Sequence, residues 1–279
     1  MSIYYTNGQF VPSEEAVIPA TDLAVLRGFG VFDYLRTYNG KPFRLNANVA
    51  RLRRSADIIG LEYPHTDEAI SQIVLETLER NRGEAPNFAV RIVLTGGVSP
   101  DNITPSGNAG LMVMVIPLKE YPTEWYANGV KVITVDIGRV FPNAKSTNYI
   151  PAIVALRLAK AQDAIEALYL DGAGQVLEAT TSNLFAFYGN KLVTPREGIL
   201  PGITRQTILE IVDGHYEVDV RDISREELLQ ADEVFITAAN KKVMPVRQVD
   251  DALIGDGRVG ERTQHVMELF AEITNRFTQ

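Results

Sequence analysis

Near the start of the chain, apolar residues come in short stretches separated by turns. Tyr4-Tyr5-Thr6 and Gln9-Phe10-Val11 flank Asn7-Gly8, and Leu35–Tyr38 and Pro42-Phe43 flank Asn39-Gly40. Asn-Gly suits a type I′ turn, whose two central residues both take positive φ, so two hairpins are predicted. The period then lengthens. Val49, Leu52, Ala56 and Ile59 fall on one stripe of a helix that Asn46 caps and Gly60 ends. A second helix is predicted from about Thr66 to Arg82, with Ile70, Ile73, Val74, Thr77 and Leu78 at helical spacing. Phe88–Thr95 and Leu111–Ile116 read as buried strands joined by a loop rich in Gly, Pro and Asn.

From Pro117 to Gly129 the pattern breaks. Pro117 and Pro122 bracket a stretch punctuated by Tyr121, Trp125 and Tyr126, which is the best place for a linker. Beyond it, strands are predicted at Val130–Asp136, Ala167–Asp171, Gln175–Glu178, Leu184–Phe187, Lys191–Thr194 and Val234–Thr237. Helices fit Ile150–Gln162, Thr204–Asp213 and Glu261–Arg276, and Ser224-Arg225-Glu226-Glu227 forms a capping box. At roughly 100–200 residues per domain, a chain of this length holds one large domain or two smaller ones. The order of elements favours two α+β domains: a small one over 1–118, a linker over 119–129, and a larger one over 130–279.

Charge narrows the functional classes. With 27 Lys and Arg against 35 Asp and Glu, the net charge is −8, and no dense basic block exists. A nucleic-acid partner is therefore not expected. The absence of cysteine excludes disulfides, thiolate metal sites and a cysteine nucleophile. His65, His215 and His265 are spaced unlike any metal motif, so no metal is expected. The first residues lack the plan of a signal peptide, and the longest apolar run, Leu111 to Ile116, is too short to span a bilayer. The expectation is a cytoplasmic protein with no membrane association.

Three segments interrupt these patterns with chemistry. In Asn143-Ala144-Lys145-Ser146-Thr147-Asn148-Tyr149, a lysine sits among small and polar residues just before a helix. Desolvated or beside another cation, such a lysine has a lowered pKa and forms a Schiff base; alone, the segment also fits a solvated loop. Glu178 ends a strand and is followed by Thr180-Thr181-Ser182-Asn183. A fixed carboxylate there suits the proton of a pyridinium ring, although a polar turn reads the same way. Gly198-Ile199-Leu200-Pro201-Gly202-Ile203-Thr204-Arg205 runs a Gly- and Pro-bearing loop into a helix, aiming free N–H groups and the positive end of the helix dipole at an anion. An amine, a carboxylate and an anion site together describe pyridoxal phosphate, with its aldehyde, ring nitrogen and phosphate each met.

On those residues the chain resembles the fold-type IV, or class IV, pyridoxal-phosphate aminotransferases, nearest to D-amino acid transaminases and branched-chain aminotransferases. Arg27-Gly28-Phe29-Gly30-Val31-Phe32-Asp33, Ala50-Arg51-Leu52, Ala231-Asp232-Glu233-Val234-Phe235 and Met244-Pro245-Val246 extend the match over nearly the whole chain. The resemblance implies that Lys145 carries the cofactor and that Glu178 partners its ring nitrogen. It implies that Arg51 pairs with the phosphate beside the backbone N–H groups of Ile203 and Thr204. Tyr149 resembles a tyrosine that meets the ring hydroxyl, one residue nearer the lysine than in the branched-chain enzymes. Ala239 and Asn240 take two positions where relatives offer phosphate-binding hydroxyls. Lys241 and Lys242 read as solvated, or as cations within reach of a substrate carboxylate. The family also implies a homodimer with shared active sites.

Substrate preference rests on where carboxylates are held. Arg91 interrupts the apolar strand Phe88–Thr95, and a buried arginine needs an anion. A structural ion pair or an edge strand would also account for it. Arg27 lies in a loop that in this family reaches the partner subunit's site. The Arg and His that D-amino acid transaminases carry after Ser-Pro are absent; Ser99-Pro100-Asp101-Asn102-Ile103 stands there. Either the chain is not a D-enzyme, or Arg27 and Arg91 replace that trap, and the second is the expectation. The function expected is transfer of an amino group from a D-amino acid to a 2-oxo acid such as 2-oxoglutarate. The alternative is a branched-chain L-amino acid aminotransferase. A 4-amino-4-deoxychorismate lyase is disfavoured, because lyases usually have a threonine where Phe32-Asp33-Tyr34 stands.

Overall fold

The computed structural model describes residues 2–278. Two compact units divide the described residues: one holds 2–119, 143–148 and 277–278, the other 120–142 and 149–276. Residues 143–148, which lie in the segment expected to be wholly within the second domain, thus group with the first.

The first unit is a sheet with helices on one face. Its strands are β1 (Ile3–Thr6), β2 (Gln9–Pro12), β3 (Gly30–Tyr38), β4 (Lys41–Pro42), β5 (Phe88–Thr95) and β6 (Gly110–Pro117), in the order β2-β1-β6-β5-β3-β4. All neighbours are antiparallel. Both predicted Asn-Gly turns form, with φ +44 and +95 at Asn7 and Gly8, and +48 and +75 at Asn39 and Gly40. After the short α1 (Leu23–Arg27), the helices α2 (Leu45–Ile59) and α3 (Asp67–Arg80) carry the core. Val49, Leu52, Ile70 and Val74 pack with Val90, Ile92 and Leu94 of β5, each large apolar side chain contributing roughly 1.5–3 kcal/mol. Asn46 is not the cap of α2. The cap lies two residues earlier, at Arg44 in a left-handed conformation, and Asn48 instead donates to the Arg44 carbonyl at 2.8 Å.

The second unit is built on a mixed ten-stranded sheet. Its strands are β7 (Val130–Val135), β8 (Glu166–Leu170), β9 (Gln175–Ala179), β10 (Asn183–Tyr188), β11 (Lys191–Thr194), β12 (Glu217–Val220), β13 (Ile223–Ser224), β14 (Glu233–Ala238), β15 (Lys242–Val249) and β16 (Ala252–Leu253). The order is β12-β11-β10-β14-β15-β7-β8-β9-β13, with β16 on β15. Its helices are α4 (Thr123–Asn128), α5 (Ile150–Lys160), α6 (Ile203–Ile211), α7 (Arg225–Leu228) and α8 (Glu261–Thr278). The stretch expected as a linker contains α4, and Tyr121, Trp125 and Tyr126 pack against the core of this unit. Ser224 caps α7 as its capping box predicts, accepting the Glu227 N–H at 3.1 Å. No helix among the described residues is long and apolar enough to cross a membrane.

Candidate active site

In the first unit, the lysine segment docks on the free edge of β3. Phe32 donates its N–H to the Lys145 carbonyl at 2.8 Å, Thr147 donates to Gly30 at 2.9 Å, and Val31 bridges Ser146. Gly30 makes this docking possible: a Cβ there would lie 2.8 Å from the Leu94 carbonyl and 3.2 Å from Thr147 Oγ1. Ser55 of α2 receives the Lys145 N–H at 3.1 Å, so the backbone of the lysine is fixed from two sides. Its Nζ lies 4.6 Å from the centre of the Phe32 ring.

Arg91 shares that ring. On the face opposite the helices, β3 presents Phe32 and Tyr34, with Arg91 of β5 paired directly across from Tyr34. The Arg91 guanidinium carbon is 6.0 Å from the Phe32 centroid. Alternation along β5 is as predicted, but Arg91 is exposed, so burial does not account for it. A cation on an open face, flanking the ring that also carries the amine, is instead available to a ligand's anion. Arg27 is also exposed, at the end of α1, with Nη1 on the Leu26 carbonyl at 2.9 Å. The structure does not bring Arg27 and Arg91 into contact.

Arg51 is far from a solvated helix residue. It is 5% exposed, and its Nε and Nη2 donate to both oxygens of the fully buried Asp33 at 2.8 and 2.9 Å. Removing one partner of such a pair costs about 3–5 kcal/mol, because the other charge stays buried alone. Asp33 therefore fixes the guanidinium rigidly.

The stretch Ser99–Thr104 shows why no carboxylate trap stands there. The Asp101 carboxylate accepts the N–H groups of Thr104 and Ile103 at 2.8 and 2.9 Å and the Ser99 and Thr104 hydroxyls. These bonds, the Thr104 N–H foremost, hold its pKa far below the ordinary carboxylate value. The loop is wound around its own acid.

In the second unit, Glu178 near the end of β9 is buried and hydrogen-bonded on both oxygens. Oε1 accepts from Arg139 Nη1 at 2.5 Å and from the Leu200 N–H at 2.9 Å, and Oε2 accepts from Asn183 Nδ2 at 2.7 Å. Arg139 also donates to the Gly198 carbonyl at 2.9 Å, and Asn183 to the Leu200 carbonyl at 2.9 Å. Glu178 and the loop 198–202 thus form one cluster at the start of α6. Arg139 was not legible in the sequence, since its partner lies 39 residues away. Ile203 and Thr204 occupy the first turn of α6, behind Gly202, with no side-chain cap. A Cβ on Gly202 would overlap Asn183 Oδ1, so only glycine brings the backbone this close. Tyr149 sits half-buried just ahead of α5.

Ala239 and Asn240 form the turn between β14 and β15, closed by the Lys241 N–H on the Ala238 carbonyl at 3.1 Å. Asn240 Nδ2 donates to the Tyr121 hydroxyl at 3.0 Å. Lys241 is not solvated: it is 4% exposed, and its Nζ lies 2.7 Å from Glu166 Oε1 and 2.7 Å from Thr181 Oγ1. Burial pushes the Glu166 carboxyl up, but the Lys241 charge and the Lys241, Thr180 and Thr181 hydrogen bonds outweigh it and hold its pKa below the ordinary value. Burial pushes Lys241 down, but the Glu166 and Tyr121 charges and hydrogen bonds together outweigh it and hold its pKa above the ordinary value. Both groups stay ionised.

Each unit by itself carries groups of the kinds that pyridoxal phosphate takes: in the first an amine over an aromatic ring, in the second a carboxylate held by donors and a glycine-led helix start with no side-chain cap. Among the described residues, no group of three or more His, Asp or Glu could hold a metal ion.

Comparisons with known proteins agree with that chemistry. A family model described as "Amino-transferase class IV" matches residues 30–249. A Methanocaldococcus jannaschii protein, provisionally named a branched-chain-amino-acid aminotransferase, is 32% identical over 98% of this chain and 96% of its own length. A D-alanine aminotransferase of Staphylococcus epidermidis is 31% identical, over 97% of each chain. Among solved structures, a branched-chain amino acid aminotransferase from T.th., crystallised with pyridoxamine 5′-phosphate, superposes with a TM-score of 0.92 at 30% identity. The match covers 100% of this chain and 95% of that one.

Proposed function

Since the chain belongs to the class IV aminotransferases, we propose that it moves the amino group of a D-amino acid to a 2-oxo acid such as 2-oxoglutarate, using an arginine-based carboxylate trap. It is a pyridoxal-phosphate-dependent transaminase of fold type IV, and it acts on amino acids and 2-oxo acids. The observation that carries the finer reading is the pairing of Lys145 and Arg91 around the Phe32 ring. An amine and a bidentate cation on one face suit a substrate whose carboxylate is held beside the reacting carbon.

When bound, the cofactor draws electrons from the substrate's Cα. Lys145 would hold it through its amine, and that amine would be the base that takes the proton from the substrate's Cα. Glu178 keeps the ring-nitrogen proton in place. In the first unit Arg51, oriented by Asp33, would serve as a phosphate partner; in the second, the N–H groups of Ile203 and Thr204 and the turn at Ala239 and Asn240 would do so. Tyr149 meets the ring hydroxyl. Arg27 and Arg91 hold substrate carboxylates.

A branched-chain L-amino acid substrate is the second reading. The same face of the first unit carries Val93, Met112 and Met114 beside Phe32, an apolar surface suited to an aliphatic side chain. A half-reaction separates the two. The yellow enzyme is mixed separately with D-alanine, D-glutamate and L-leucine, and its visible absorbance is followed. Loss of the band with the D-amino acids alone is the expected result; loss with L-leucine alone assigns the branched-chain activity. Arg91→Ala and Arg27→Ala should each raise the KM for the 2-oxo acid, by about tenfold for a lost charge-assisted hydrogen bond. An unchanged KM removes that arginine from the trap.

We also propose a homodimer in the cytoplasm. Along α5, Ala152, Ala155 and Ala159 face inward, whereas Ile150 (70% exposed), Ile153 (53%), Val154 and Leu158 form an apolar stripe on the opposite side. Such a stripe marks an association surface. Light scattering after size exclusion should give twice the chain mass, and Ile153→Glu should shift the protein toward monomer. A monomeric native protein would remove the proposal.

A further inference from the structure

The buried Lys241–Glu166 pair has no part in the chemistry assigned above, yet it joins three segments of the second unit. Glu166 opens β8, Thr180 to Ser182 connect β9 to β10, and Lys241 closes the turn between β14 and β15. The Glu166 carboxylate accepts the Thr180 and Thr181 hydroxyls and, at 2.8 Å, the Thr181 N–H, while Lys241 Nζ reaches both Glu166 and Thr181. The connection it grips begins two residues after Glu178 and ends at Asn183, the residue that donates to Glu178. From the other side, Tyr126 donates its hydroxyl to the Lys241 carbonyl at 3.2 Å. Tyr121 binds Asn240 and stacks on Trp125 with ring centres 5.3 Å apart.

We propose that Lys241 is a positioning residue: through Glu166 and Thr181 it locks the 239–240 turn to the segment that carries Glu178, so that the phosphate end and the ring-nitrogen end of the cofactor are held at a fixed separation. The proposal rests on the reading of that turn as a phosphate holder. The turn's own side chains explain the need. Ala239 has no polar group, and the Asn240 amide is engaged by Tyr121. The turn therefore meets an anion with backbone N–H groups, which bind well only if their directions are fixed in advance. A buried ion pair is a weak source of stability compared with apolar residues of the same volume, but losing one partner is costly, so it enforces one geometry.

The test compares two ligands that differ only in the phosphate. The cofactor-free enzyme is titrated with pyridoxal phosphate and with pyridoxal, following visible absorbance, for the native chain and for Lys241→Met, Thr181→Val and Asn240→Asp. Lys241→Met should weaken pyridoxal phosphate by about tenfold or more while changing pyridoxal by less than about twofold. Thr181→Val, which removes one hydroxyl while keeping the side chain's shape, should move the same ratio in the same direction, and it answers the question if Lys241→Met does not fold. Equal weakening of both ligands makes Lys241 a general stabiliser and overturns the proposal, as does an unchanged ratio in both variants. Asn240→Asp separates the two levels. By placing a negative charge on the turn, it should weaken pyridoxal phosphate alone. If it leaves that affinity unchanged, the phosphate reading of the turn fails, and the proposal with it. If it acts while Lys241→Met and Thr181→Val do not, the coupling alone fails.

Discussion

Replacing Lys145 by alanine is expected to cut turnover by about 10⁴-fold or more, the range lost when a positioned proton carrier is removed. The fold should survive the change. The segment is held through its main chain, by the Ser55 hydroxyl and by the edge of β3, and none of those bonds uses the side chain. What is lost is the amine over the Phe32 ring. The check is the steady-state rate beside a thermal melt. A melt within a few degrees of native with turnover abolished supports the assignment, and turnover retained within about tenfold overturns it. Added small amines should restore part of the rate, since they replace the proton carrier without replacing the tether.

The second large effect is expected at Glu178. Glutamine keeps the volume but turns one oxygen into an N–H₂ donor, and Arg139, Asn183 and the Leu200 N–H already point donors at this carboxylate. A donor facing donors costs more than the loss of one bond. The ring nitrogen also loses its anionic partner, so the bound cofactor withdraws electrons less well. Glu178→Gln should leave the cofactor bound and slow the proton shift by about 10²–10³-fold, the usual cost of one preorganised electrostatic group. The half-reaction under single-turnover conditions reads this step directly. An unchanged rate would take Glu178 out of the site.

What the sequence reveals about this molecule divides along the line between local and distant causes. The Asn-Gly hairpins, the stripes of α2 and α3 and the Ser224 cap are set within a few residues, and they form as read. The three segments around Lys145, Glu178 and Ile203-Thr204 stand out in the sequence because each interrupts an apolar pattern. β15 was not. Pro245 argues against a strand, yet it lies in the middle of the sheet opposite Phe235, with an irregularity in the neighbouring β7 register between Val246 and Gln248. Lys241 reads as solvated beside Lys242 because its partner Glu166 is remote in sequence. Arg139 gives no local sign that it would hold Glu178. In Arg91 the alternation was correct and the burial was not: alternation assigns a face, and only the three-dimensional packing tells which face is covered.

The path of the chain also bears on heredity. The first unit includes 2–119 together with 143–148, so Lys145 is encoded beyond the point where the chain has already entered the second unit. A genetic exchange that transferred 1–119 as a module would carry Arg51 and Arg91 but leave Lys145 behind. Recombination just after residue 119 would yield hybrids that take Arg51 and Arg91 from one parent and Lys145 from the other.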